Sequence, residues 1–255
     1  KDKKLEEQIF SEVYHVFETI DQLMSSYKKD SEISKISDNA GMAKEKVSQQ
    51  TFEVIEQSLF FSKLSDVAFD ITWAALKDYY EPDSHLEFNA KIAKEIIPLI
   101  NYKNIIIDKN HHSVFLKNKG MKIGVGAIAK GYALDESKKV LEKYFIKDFF
   151  LNGGGDLLVG GNYQFKPWTI YIQHPDKPDG FIVKITITDN AVITSGGYQR
   201  FRTLKNGKTL SHIIHPKTGM PVNSLKSITI IGKNGAAADA LATAFFVLGN
   251  DSGSV

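Results

Sequence analysis

The sequence contains no cysteine. That absence excludes disulfides, thiolate catalysis and cysteine-ligated metals, and it leaves the compartment open, because oxidising and reducing environments both tolerate such a chain. There is also no long basic run and no arginine-rich arm, and 32 basic against 30 acidic residues leave a net charge of +2. Nothing in that balance points to nucleic acid as a partner. No apolar stretch approaches the roughly 18 uninterrupted residues of a membrane helix, and the opening Lys1-Asp2-Lys3-Lys4 is polar rather than signal-like. Internal repeats, low-complexity tracts and Pro/Gly-rich linkers are missing too, which makes one domain the simplest expectation.

What is present is a chain of 255 residues with 42% hydrophobic content, enough for a sizeable core. Residues 4–26 read as one amphipathic helix, since Leu5, Ile9, Val13, Val16, Phe17, Ile20, Leu23 and Met24 recur at three- and four-residue steps and form a core stripe. A polar loop from Ser25 to Ser34 follows, then a helical pattern through Phe52, Ile55, Leu59, Phe60 and Leu64. Further helices are expected near 73–80 and 89–98, ahead of a hairpin at 104–108 and 113–116 whose turn exposes His111 and His112. After a helix starting near Ala129, short strands are expected at 148–151, 156–159, 168–173, 181–187, 191–194, 198–203 and 208–214. Helices concentrated early and strands late argue for an α+β fold with a mostly antiparallel sheet. The chain starts on one helical pattern and stops soon after another, so residues are expected to be missing at one or both ends, a removed leader among them.

Five segments carry candidate chemistry. In Ala238-Asp239-Ala240-Leu241-Ala242-Thr243, the spacing of four puts a carboxylate and a hydroxyl on one helical face. Mg2+ takes few protein oxygens and keeps the rest of its octahedron for water and phosphate, so this pair is a candidate metal site; the plainer alternative is helix capping. Gly124-Val125-Gly126-Ala127-Ile128-Ala129-Lys130-Gly131 fits neither a phosphate loop, because the lysine precedes the glycine, nor a dinucleotide fingerprint, because no acidic residue follows a parallel strand. Its glycines still let backbone approach a ligand, with Lys130 adding a cation. Asn152-Gly153-Gly154-Gly155-Asp156 implies either a tight turn or a ligand close to the backbone. Thr194-Ser195-Gly196 is expected to begin a strand and to offer hydroxyls and amides there. His212, in Ser211-His212-Ile213-Ile214-His215-Pro216-Lys217-Thr218-Gly219, is placed at a loop mouth that suits a general base, whereas His15, His85 and His174 read as surface residues.

In this order and spacing, and together with Phe69-Asp70-Ile71-Thr72, these segments resemble the ApbE family, whose members are FAD:protein FMN transferases. The likeness runs from Met24-Ser25-Ser26-Tyr27 to the end of the chain. It implies Mg2+ held by Asp239, Thr243 and the backbone carbonyl of Ala127. It implies FAD, the substrate, contacted by Tyr27, Ala68, Phe69, Asp70, Gly124, Lys130 and Ile213, and His212 activating an acceptor Thr or Ser hydroxyl. FMN would pass to that hydroxyl and AMP would be released. The implied partners are small FMN-binding acceptor domains of membrane redox complexes or extracellular electron-transfer proteins. The implied location is extracytoplasmic, with a lipid anchor on a missing N-terminus. The chain departs from the family pattern at His215, where relatives commonly carry Asp, at Gly197, often a polar position, and in lacking a Met-Gly strand before the first helix. Two alternatives stand beside transfer: a Mg2+-dependent FAD pyrophosphatase, against which Tyr27 weighs by crowding the adenine side, and a non-catalytic flavin carrier, which would need neither metal nor base.

Overall fold

Helix α1 (Lys3–Met24) opens the structure, a computed structural model that describes residues 3–80, 89–197, 201–203, 209–211 and 213–249. Its apolar stripe buries Ile20 and Met24 and half-buries Ile9, Val13, Val16, Phe17 and Leu23. Leu5 departs from the expected core stripe and is exposed, in the first turn of α1. The helix stops two residues short of the expected end, where Ser25 closes the last turn on Asp21 and Lys28 N turns back to Ser25 O (3.2 Å).

The polar loop ends earlier than its composition suggests. A second helix, α2 (Glu32–Asp38), starts at Ser31, whose Oγ accepts from Ser34 N at 3.1 Å. Seven residues cannot hold a helix alone. Burial of Ile33 and Ile36 stabilises it by about 1.5–3 kcal/mol each, and those two are its only strongly apolar residues, so no periodicity announces it. After β1 (Glu45–Lys46), α3 (Gln49–Leu64) is capped by Ser48. The helix expected at 73–80 is a 3-10 helix over Ile71–Leu76 that continues as α4 (Lys77–Tyr80). Helix α5 (Ala90–Ile96) leads to the expected hairpin of β2 (Ile105–Asp108) and β3 (Ser113–Leu116), with β3 also pairing β1.

Helix α6 (Ala129–Lys143) is followed by β4 (Phe149–Gly153), β5 (Asp156–Gly160), β6 (Trp168–His174), β7 (Lys177–Ile187), β8 (Asn190–Gly196), β9 (Phe201–Thr203), β10 (Thr209–Ser211), β11 (Ser227–Gly232) and α7 (Gly235–Leu248). Among the described residues every strand pairing is antiparallel, and the mixture of helices and antiparallel sheets makes the fold α+β. The central sheet runs β11-β8-β5-β4. Two corrections concern it. Strand β11 was not among the expected strands, although Ile228-Thr229-Ile230-Ile231 is β-branched. Thr194-Ser195-Gly196 ends β8 rather than beginning a strand, because the chain enters β8 from a turn at Asp189 (φ 49°).

One face of the sheet packs Leu158, Ala191 and Ile193 against Leu134 and Leu141 of α6 and Ala238 and Ala242 of α7. The other face is covered by the β6–β7 hairpin through Ile170, Val159 and Val192. Helix α7 is apolar on nearly every side, as a helix at the centre of a core must be.

Candidate functional site

The N-termini of α6 and α7 cross at two glycines, and that crossing builds the site. A Cβ on Gly131 would stand 2.1 Å from the Gly235 carbonyl oxygen, so only glycine permits this approach. Helix α7 is well capped: Asn234 Oδ1 accepts from Ala237 N (2.7 Å), and Asp135 of α6 accepts from Gly235 N (2.8 Å) and Ala236 N (2.9 Å). Helix α6 has no side-chain cap of its own, since Ile128 stands at that position. Its Gly131 N–H, one of the amides a helix start leaves unpaired, instead donates to Asp239 Oδ2 at 3.0 Å. The carboxylate read from the sequence as a metal ligand is thus also a cap, supplied from the neighbouring helix.

Asp239 is buried, and among the described residues the Gly131 amide is its one hydrogen-bond donor. Burial pushes its pKa up to about 7; Lys130 opposes that rise, and the charge of Asp156 adds to it. Asp156, also buried, forms an ion pair with Lys130 and accepts from Thr194 N at 3.1 Å. Two buried carboxylates therefore share one half-exposed lysine, an arrangement that favours an added cation. One turn along α7 from Asp239, Thr243 Oγ1 lies 3.3 Å from Ser195 Oγ. A carboxylate, a hydroxyl and the Ala127 carbonyl are hard oxygen donors of the kind Mg2+ accepts, so the residues present fit that ion. Among the described residues there is no cluster of three or more His, Asp or Glu that would suit a metal held by protein ligands alone.

These groups open onto a cleft of about 890 Å³. Ala127, Lys130, Asp239 and Thr243 line it, and so do Tyr27, Ala68, Phe69, Asp70, Gly124 and Ile213. Every site residue expected from the sequence, apart from His212, is thus brought to one cavity; His212 lies outside the described residues. The glycine run contributes as well. Gly153 and Gly154 line the cleft, and Gly154 and Gly155, at φ 73° and 102°, make the two-residue turn between β4 and β5 that sets Asp156 beside α6. Of the two alternatives offered for this run, the structure shows the tight turn.

Asp70 has a structural engagement that its motif did not reveal. Its Oδ1 accepts from Thr72 N (2.9 Å) and Thr72 Oγ1 (2.6 Å), and its Oδ2 accepts from Tyr102 N (2.9 Å). It pins the cleft wall, and Gly124 N, bonded to Ile71 O at 2.9 Å, ties the glycine loop to the same wall. Burial raises the Asp70 pKa despite these bonds.

The segment after His212 folds tightly. Val222 N donates to Ile213 O (2.9 Å), Gly219 N to His215 O (2.8 Å), and the Tyr80 hydroxyl of α4 to Gly219 O (2.6 Å). Burial holds the His215 imidazole below its usual pKa and Lys217 acts in the same direction, so His215 is neutral near pH 7. At Gly197 an added Cβ would lie 3.3 Å from Ser211 Oγ, a tight contact that a small shift of the hydroxyl would relieve. Two residues at the site were missed in the sequence: Asp156, which pairs with Lys130 from behind the cleft surface, and Lys77, which lines the cleft. Asp156 was within a quoted motif, but its role depends on the turn geometry; Lys77 carries no sequence signal.

A family model described as the ApbE family matches residues 3–254. The FAD:protein FMN transferase of Klebsiella pneumoniae (strain 342) is 29% identical over 252 residues, covering 97% of this chain and 78% of the relative. That of Escherichia coli (strain K12) is 30% identical over 242 residues, covering 90% and 68%. Among solved structures, the ApbE protein of Thermotoga maritima aligns with a TM-score of 0.88 at 30% identity, over 95% of this chain and 79% of that one. The flavin transferase ApbE of Vibrio cholerae aligns with a TM-score of 0.84 at 27% identity, over 98% and 80%. Sequence likeness along nearly the whole chain and a shared fold agree: the chain belongs to the ApbE family.

Proposed function

We propose that this protein transfers FMN from FAD to a Thr or Ser hydroxyl of an acceptor protein, releasing AMP. The observation that carries the reading is the convergence on one cleft of an oxygen donor set, Asp239, Thr243 and Ala127, with Lys130 and with an apolar wall of Ala68, Phe69 and Ile213. The names of the relatives support the reaction class.

In the reaction the acceptor oxygen bonds to the phosphorus of the FMN half. The bond from that phosphorus to the bridging pyrophosphate oxygen breaks, and the bridging oxygen leaves with the electron pair as part of AMP. The hydroxyl proton goes to a base, the role we assign to His212 on the family resemblance. Lys130, tethered by Asp156, offers a cation to the anionic pyrophosphate. Asp239, Thr243 and the Ala127 carbonyl would hold Mg2+, which when bound neutralises phosphate charge and eases departure of the leaving group.

The acceptor class we infer is a small FMN-binding domain of a membrane redox complex or an extracellular electron-transfer protein. We place the reaction outside the cytoplasm, with the enzyme lipid-anchored and built as one domain; the family resemblance supports each of these. Among the described residues no helix is long and apolar enough to cross a membrane.

The test is incubation with FAD, Mg2+ and an acceptor domain, measuring acceptor mass and AMP, with a parallel sample lacking acceptor. An FMN-sized mass gain with matching AMP is expected, and His212→Ala should keep FAD binding while slowing transfer about 100-fold or more. Free FMN and AMP in both samples would make the protein a pyrophosphatase instead.

A further inference from the structure

We propose that Lys77 is a positioning residue for the dinucleotide, fixing the Tyr27 ring as a stacking surface on the rim of the cleft. The inference rests on the reading that this cleft takes FAD. Tyr27 sits in the turn from Ser25 to Lys28 and is 67% exposed. Lys77 reaches it from 50 residues away in the chain: Nζ lies 3.4 Å from the ring centroid, well within the range of about 6 Å for a cation–π contact. The same ammonium donates to Ser26 O (3.1 Å) and Ser26 Oγ (3.0 Å). One cation thus holds both the backbone of the turn and the aromatic ring beside it.

The anchor at the other end is rigid. Lys77 caps the 3-10 helix Ile71–Leu76, in which Ile71, Thr72, Ala74, Ala75 and Leu76 are buried, and Asp70 locks the start of that helix. The turn's own lysine is engaged elsewhere, since Lys28 Nζ pairs with Asp21 at 2.6 Å. Ser26, Tyr27 and Lys77 all line the cleft. With the ammonium over the ring, Tyr27 offers the rest of its exposed surface, in a fixed orientation, to a flat ring system. FAD carries two of these, the purine and the isoalloxazine. Fixing the platform before binding removes an ordering cost from association and leaves the bond-breaking step untouched.

Equilibrium binding of FAD, ADP and FMN in Mg2+ tests the proposal without any acceptor, using wild type, Lys77→Met, Lys77→Arg, Tyr27→Leu and the Lys77→Met/Tyr27→Leu pair. Lys77→Met is expected to weaken FAD binding about fivefold and Lys77→Arg less than about twofold, and on the Tyr27→Leu background Lys77→Met should add almost nothing. Either ADP or FMN should weaken in parallel, naming the ring that stacks. In transfer assays KM for FAD should rise with kcat nearly unchanged. Unchanged FAD affinity in Lys77→Met, or additive losses in the double variant, would overturn the proposal, with melting curves showing that each variant is folded. Because binding is read apart from chemistry, a wild type that binds FAD but transfers nothing would sink the transferase reading and leave this one standing.

Discussion

At the scale of single residues, Asp239 carries the most informative conflict. Its carboxyl titrates near 3.8 in an ordinary environment and is pushed up to about 7 here, first by burial. Between those values the folded state holds a proton that the unfolded state has released, so this group makes the metal-free protein less stable as pH rises from about 4 to about 7. Asp239→Asn keeps an oxygen for the Gly131 amide and removes the buried charge. Without divalent metal, the variant should melt higher than wild type above pH 7, and the two should converge below about pH 4. Melting temperatures in EDTA from pH 4 to 8 decide it; parallel profiles would mean that burial does not govern this carboxyl. That Asp239 and Thr243 face one cleft from α7 was legible because helical spacing is arithmetic. The Asp156–Lys130 pair was not, because it depends on two left-handed glycines bringing β5 against the start of α6.

At the scale of elements, the crossing of α6 and α7 is where sequence and geometry meet most tightly. Gly131→Ala would force a methyl to within 2.1 Å of a backbone carbonyl that cannot swing aside. The helices must separate, taking Asp239 from the Gly131 amide and moving Lys130 with α6. We expect a loss of about 3 kcal/mol or more in urea unfolding. Gly126→Ala is the matched control, since an added Cβ there meets nothing within 4 Å. Similar midpoints for the two variants would show that the close crossing is not the constraint. The elements themselves were legible wherever apolar spacing spoke, as in α1, α3 and the β2–β3 hairpin. Helix α2 was silent, because two buried isoleucines among polar residues make no pattern, and only the pocket that receives them reveals the helix.

At the scale of the whole molecule, the cleft draws its walls from distant parts of the chain: the end of α1, the segment after α3, the start of α6, the β4–β5 turn, the end of β8, residues 213–216 and α7. A ligand that touches all of them stabilises the folded state by mass action. At a hundredfold excess over Kd that amounts to about 2.7 kcal/mol, which for a chain of this size raises Tm by about 5–10 °C. On the proposed function the metal and dinucleotide contributions should not be independent, because above pH 7 the Asp239 carboxylate would oppose a pyrophosphate bound beside it, whereas Asp156 is already paired with Lys130. FAD without Mg2+ would meet the Asp239 charge with only Lys130 to offset it, and Mg2+ without FAD would have water in place of the phosphate oxygens. The shift with both present should therefore exceed the sum of the two separate shifts, and Asp239→Ala should abolish the excess. A FAD shift that is the same with and without Mg2+ would separate the Asp239–Thr243 pair from the dinucleotide and leave Asp239 as the cap that ties α6 to α7 and Thr243 as the partner of Ser195.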